Sequence, residues 1–340
     1  MSEEKPENIT RRTLGEILDQ HQLWLSSEGR EGKRADLVGA KGLAGSQLAR
    51  ADLTHVRLPE EINWLEELKN VDEASQHSRK LFFTMLLGAV YSLITIAGTT
   101  DIKLLTNSAG SPLPIIGTGI PLVGFYWLAP VFMLSIFVYF HLYLQRQWEK
   151  ITEFPAVFPD GIPVDKKVYP WLFNGLVRDN FRRLRNDKPP MFILQKGMSI
   201  MLGWVMVPAV LIFFWMRYLS RHNWSGTILH IALITGSCWL AIYFYNLTVS
   251  TLRGLKEKDG LFIMPTGFSL GTGLLLFVLS YGAITGVNPD IYSEVTATYQ
   301  EANIIQQSVP KLFYRPKSLV KPPFADFSKL NVSVKPGTFM

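Results

Sequence analysis

Five stretches of this chain contain no Asp, Glu, Lys or Arg: residues 81–100, 104–145, 197–216, 222–252 and 260–289. Each is long enough to cross a hydrocarbon core of about 30 Å, which takes roughly 20 residues at 1.5 Å per residue. The second run exceeds one span. Its first part, Thr106 to Gly119, is rich in Gly, Pro, Ser and Asn and does not suit a lipid-exposed helix. The expected spans are therefore about 81–98, 121–144, 191–216, 227–251 and 267–286, a membrane all-α block. Charge is concentrated elsewhere. Of 62 charged side chains among 340 residues, 27 lie in the first 80, and that quarter is net negative although the whole chain is +6. One cysteine, Cys238, excludes an internal disulfide and a multi-cysteine metal cluster.

Orientation follows from Lys and Arg in short loops. Loop 145–190 carries Arg146, Lys150, Lys166, Lys167, Arg178, Arg182, Arg183, Arg185 and Lys188, against Lys103 alone in 99–120. This contrast predicts a cytosolic loop, a cytosolic N-terminus and, after five crossings, an external C-terminus. Arg217 and Arg221 then face outward against the trend. A re-entrant segment or extra crossing at 104–120 is the alternative. No signal peptide precedes Leu81, so the first span is expected to direct insertion.

Residues 35–58 have a period that is neither 3.6 nor 2. Leu43, Leu48, Leu53 and Leu58 recur every fifth residue, Leu37 is one residue out of phase, and Ser46, Ala51 and Val56 each stand two before a leucine. A five-residue period suits a square coil with leucines turned inward and small residues at tight corners. Ala51-Asp52-Leu53-Thr54-His55 and Ala35-Asp36-Leu37-Val38-Gly39 resemble the A(D/N)LXX motif of the pentapeptide-repeat family. The resemblance implies a right-handed quadrilateral β-helix, here hardly more than one coil. So short a stub needs a cap. Thr13 with Glu16 reads as a capping box, and Leu14, Ile17, Leu18, His21 and Leu25 follow as a helical stripe.

These features divide the chain into a polar segment with capping helix (1–34), the repeat stub (35–58), a linker helix (59–80), the membrane block (81–286) and an irregular tail (287–340). In the tail, Ala325-Asp326-Phe327 and Val332 read either as the entry to a second repeat block or as part of a proline-rich irregular tail. The layout resembles bacterial pentapeptide-repeat membrane proteins. That resemblance implies an inner-membrane location and carries no general reaction with it.

Candidate chemical sites are few. His230 and Asn246 are polar residues within the fourth span, where ionisable groups are functional candidates by default. Trp171, Leu172, Leu176, Phe181 and Leu184 form a rough apolar stripe beside Arg178, Arg182, Arg183 and Arg185. Such a helix could lie on anionic lipids. The histidines show no metal-ligand spacing, and no phosphate loop, nucleophile elbow or dinucleotide fingerprint occurs. The reading is a non-enzymatic scaffold or interaction protein without cofactor, metal or nucleic acid, working through protein partners or self-association. A channel or transporter component is the first alternative, and a sensor or effector in stress or phage defence the second.

Overall fold

The computed structural model describes residues 11–40, 43–105, 107, 121–181, 183–184, 189–255 and 263–285. The repeat-like tail with Ala325 and Val332, most of the Thr106 to Gly119 segment, Arg182 and Arg185 lie outside the described residues. Among the described residues the α-helices are, in chain order, α1 (Arg11–Ser26), α2 (Leu65–Gly98), α3 (Asp101–Leu105), α4 (Leu122–Ile151), α5 (Val164–Lys167), α6 (Gly175–Asn180), α7 (Phe192–Ile200), α8 (Met206–Tyr218), α9 (Trp224–Arg253) and α10 (Ile263–Thr285).

Among the described residues, five helices are long and apolar enough to cross a membrane, so the chain is an integral membrane protein: α2, α4, the continuous run Phe192–Arg221 that contains α7 and α8, α9 and α10. They match the five charge-free runs, with one correction. The expected linker helix and first span are a single helix from Leu65, because no Pro or Gly interrupts Leu65 to Leu87. Long apolar side chains stay on the outside of these helices. Phe132 is 63% exposed and Leu274 66%, as lipid contact requires.

The third span is not uniform. Met201–Val205 is a π-helical turn between α7 and α8. Pro208 lies just beyond it, lacks an N–H, and would drive its ring into the carbonyl one turn back; widening the preceding turn relieves that clash. Pro130 sits inside α4, which continues through it. It leaves the Tyr126 carbonyl without its intrahelical donor.

The chain divides into two compact units, Met1–Leu86 with Ile136–Met206 and Leu240–Ile263, and Leu87–Ser135 with Val207–Trp239 and Met264–Met340. In the first unit, α1 covers the repeat segment. Leu14 is buried with Ala35, Leu37, Ala40, Leu48, Leu53 and Val56, and Ile17, Leu18, Leu43 and Leu58 pack against them. The leucines of the five-residue period thus point inward, Leu43 and Leu58 less completely than the rest. Thr13 falls inside α1, whose described part starts at Arg11, and so is not its N-cap. The chain turns back after α1 through Gly32 at φ +77°, where a Cβ would stand 2.3 Å from the Gln20 carbonyl oxygen.

Candidate functional site

The corners of the repeat segment have a local cause. Leu53 accepts from the Val56 N–H at 2.9 Å and Leu48 from the Ala51 N–H at 3.2 Å, each closing a turn. Arg50 and His55 occupy the third place of those turns with φ of 64° and 65°, the left-handed conformation such a turn demands. The motif aspartates act one residue before each leucine. Asp36 Oδ1 accepts the Val38 N–H at 3.2 Å, and Asp52 Oδ1 accepts the Thr54 N–H at 3.1 Å. A short carboxylate binding the backbone two residues on favours the bend. Twenty-one positions after Asp36, Arg57 lies beside it in a parallel bridge, and the Leu37 N–H donates to the Arg57 carbonyl at 2.9 Å. Among the described residues no extended strand forms. Backbone pairing there consists of three isolated bridges.

A distant loop pairs with this segment. Loop residues 154–159 run parallel to 50–55. The Phe154 carbonyl accepts from Arg50 at 2.8 Å, Val157 from Leu53 at 2.9 Å, Pro159 from His55 at 3.0 Å, and Ala156 donates to the Ala51 carbonyl at 2.8 Å. Ala156 and Phe158 are buried, in the places of Ala51 and Leu53. Ala156-Val157-Phe158-Pro159-Asp160 is thus spaced like Ala51 to His55, a signal the sequence reading missed because it had only one such unit in a loop. Asp160 repeats the aspartate device further on, accepting the Ile162 N–H at 3.1 Å. Burial raises its carboxyl, but the Lys167 ammonium at 2.7 Å and the backbone donors prevail and hold it below the usual range.

Arg50 fixes this platform to the end of α9. Its guanidinium donates to the Thr251 carbonyl at 2.6 Å and lies 5.7 Å from the centre of the Phe181 ring. A cation at a helix C-terminus meets carbonyls that have no intrahelical partner. Burial pushes the guanidinium below its ordinary value. Gly254, at φ +71°, leaves room for it: a Cβ there would sit 1.9 Å from Arg50 Nη1. Thr251 Oγ1 meanwhile accepts from Gln145 Nε2 of α4 at 2.7 Å.

His21 pins α1 to the platform. It is fully buried, its Nδ1 accepts the Ala35 N–H at 3.3 Å, and its ring stacks on Trp24. Desolvation lowers its pKa from 6.5, with Asp52 and the Thr54 backbone opposing and Arg34 and His55 assisting. A depressed histidine pKa means the folded state binds fewer protons than the unfolded chain, so this contribution is complete above pH 6.5 and declines as pH falls toward the folded-state value. Thermal melts of the platform between pH 7.5 and 5.5 are therefore expected to fall with acidification, and His21→Gln is expected to flatten that slope. An unchanged slope in the variant would assign the effect to other groups.

The basic loop departs from the amphipathic expectation. Arg178 does not reach a lipid surface: its side chain is 3% exposed, and Nε and Nη2 donate to the two Asp165 carboxylate oxygens at 2.8 and 3.1 Å. Leu176, Phe181 and Leu184 of the stripe are buried in protein as well. Of the basic group, Arg183 is exposed. The segment is drawn inward by a ready counter-ion and by α2, where Asp72 Oδ1 accepts the Tyr169 N–H at 2.6 Å and Arg79 donates to the Tyr169 hydroxyl. A cavity of about 120 Å³ lies here, lined by Asp165, Trp171, Asn174, Arg178 and Gln195 among others.

His230 and Asn246 fall in different units. Asn246 is half-buried. His230 is buried between the rings of Tyr218 (4.9 Å) and Phe214 (6.4 Å), with Nδ1 bonded to the Gly226 carbonyl at 2.7 Å. These contacts describe a packing histidine. The same unit explains Arg217 and Arg221. Arg217 pairs with Asp101 at 2.8 Å and donates to the Thr99 carbonyl at 2.6 Å, and Arg221 donates to the Leu104 carbonyl at 3.0 Å, so both serve the C-terminal ends of α2 and α3. Among the described residues no group of three His, Cys, Asp or Glu side chains is placed to hold a metal ion. Comparison with protein-family models, with curated proteins and with solved structures found no match for this chain.

Proposed function

We propose that the chain is a non-enzymatic membrane scaffold of the bacterial inner membrane, displaying a short pentapeptide-repeat platform on the cytosolic side. The observation that carries this reading is the double attachment of residues 35–58: through the parallel hydrogen bonds to loop 154–159, and through Arg50 at the end of α9. A platform needed only for its own folding gains nothing from such coupling to a span, whereas a docking surface held at fixed height and angle does. The quadrilateral-coil reading is supported by the inward leucines, the left-handed corners and the 21-residue return from Asp36 to Arg57. The cytosolic assignment rests on the basic loop that pairs with this segment. A transporter using His230 and Asn246 is less well supported, since the contacts of His230 with Tyr218, Phe214 and the Gly226 carbonyl are those of a packing side chain.

Val38 protrudes from the platform, 57% exposed. With a photo-crosslinking side chain at Val38, the scaffold reading expects discrete protein adducts in membranes, including a doubled mass if the partner is a second copy. The same probe at exposed Arg183 is expected to give a different set. Identical adduct patterns from the two sites, or none from Val38, would remove the platform as an interaction surface.

A further inference from the structure

We infer that the seam between α2 and α4 binds the phosphate of an anionic phospholipid, through Lys80, Arg146 and Tyr143. With Arg178 buried, a cation for the lipid headgroups has to be sought elsewhere in the first unit. Most basic side chains near the loop are committed to protein partners: Arg178 to Asp165, Lys167 to Asp160, Lys196 to Asp179, Arg79 to Tyr169, Arg50 to Thr251 and Arg253 to Asn180. Lys80 and Arg146 are exposed and belong to no ion pair among the described residues.

Their setting is interfacial. Toward the apolar end, α2 runs His77, Lys80, Phe83, and α4 runs Arg146, Tyr143, Tyr139. The two helices meet with the His77 and Tyr143 rings 4.6 Å apart. Phe83 (55% exposed) follows Lys80 on α2, and Leu142 (50%) and Tyr139 (46%) follow Arg146 on α4, so on each helix charge gives way to apolar area within about two turns. Arg146 stands over the Tyr143 ring at 5.9 Å, and Tyr139 donates to the Tyr143 hydroxyl at 3.2 Å. Tyr143 can then turn its own O–H outward as a donor. Tyrosine and basic side chains at the edge of a span are placed where headgroups lie, and a phosphate accepts from both. Two acids lie nearby. Glu149 accepts from Gln145 at 3.1 Å, and Glu73 lies one turn further from the membrane edge than His77.

The test uses the full chain in nanodiscs of phosphatidylcholine containing a minority of phosphatidylglycerol, with native mass spectrometry to count each lipid retained. Wild-type protein is expected to retain phosphatidylglycerol preferentially. Each cation contributes about fivefold near an anionic surface, so Lys80→Gln with Arg146→Gln is expected to reduce the preference by about 25-fold, and Arg183→Gln to leave it intact. Because both cations are exposed, thermal melts of the double variant are expected to match wild type. As a measurement free of substitution, raising salt should erode the wild-type preference. Equal retention of the two lipids by wild type, a preference that survives in the double variant, or an equal loss in Arg183→Gln would each overturn the assignment.

Discussion

Phe158→Ala is expected to release the N-terminal platform while leaving the five spans in place. Phe158 is 1% exposed, meets the edge of Trp64 at 5.4 Å and Phe154 at 6.2 Å, and carries the Lys167 ammonium 4.2 Å above its ring. Trp64 in turn packs against the cluster that contains Leu48 and Leu53. Truncating a buried phenylalanine costs about 3–5 kcal/mol, part of it for the cavity left behind. For a platform of this size that is a large share of its stability. Limited proteolysis of membranes is the measurement: the exposed Glu28 to Glu31 turn should be cleaved far faster in the variant, while the membrane-protected fragments stay unchanged. Leu43→Ala, at a half-buried position of the same core, should accelerate cleavage much less. If Phe158→Ala left cleavage at wild-type rates, loop 154–159 would be a neighbour of the platform and not part of it.

The residues on which this prediction rests show where the fold was legible in sequence. The spans were, because a missing charge is read position by position and needs no partner: each of the five helices covers one charge-free run. The turns at Asp36-Leu37 and Asp52-Leu53 were local too, because these residues act on backbone within three residues of themselves. Pairing of Ala51 with Ala156 was not, since it joins segments about a hundred residues apart, and Phe158 stands where the periodic pattern has leucine. Arg217 and Arg221 broke the topology trend for a reason no loop count contains: they serve the ends of other helices. The α2–α4 seam was equally hidden. His77 and Tyr143 carry no motif, and their meeting depends on the register of two helices.

The basic loop posed the harder ambiguity, and Asp165→Asn is expected to resolve it with the other large effect. An apolar stripe beside arginines reads the same whether the apolar side faces lipid or protein, because periodicity records that a face is dry and not what dries it. The two cases differ in how they respond to removal of a negative charge. If Arg178 lay among headgroups, Asp165 would be one exposed acid in a basic loop, and its neutralisation would be almost silent. In the structure Arg178 is 3% exposed and Asp165 12%, with both carboxylate oxygens engaged. Removing one member strands the other charge away from water, a loss of about 3–5 kcal/mol. Asp165→Asn should therefore lower the melting temperature of the detergent-solubilised protein markedly. Arg178→Met in the same chain should return most of the loss, since an uncharged pair leaves no stranded ion. A paired recovery of that kind cannot arise from a surface cation. A full-sized loss that Arg178→Met failed to recover would instead mean that Asp165 matters through the α5–α6 backbone, and the buried pair would lose its place as the reason the loop folds inward.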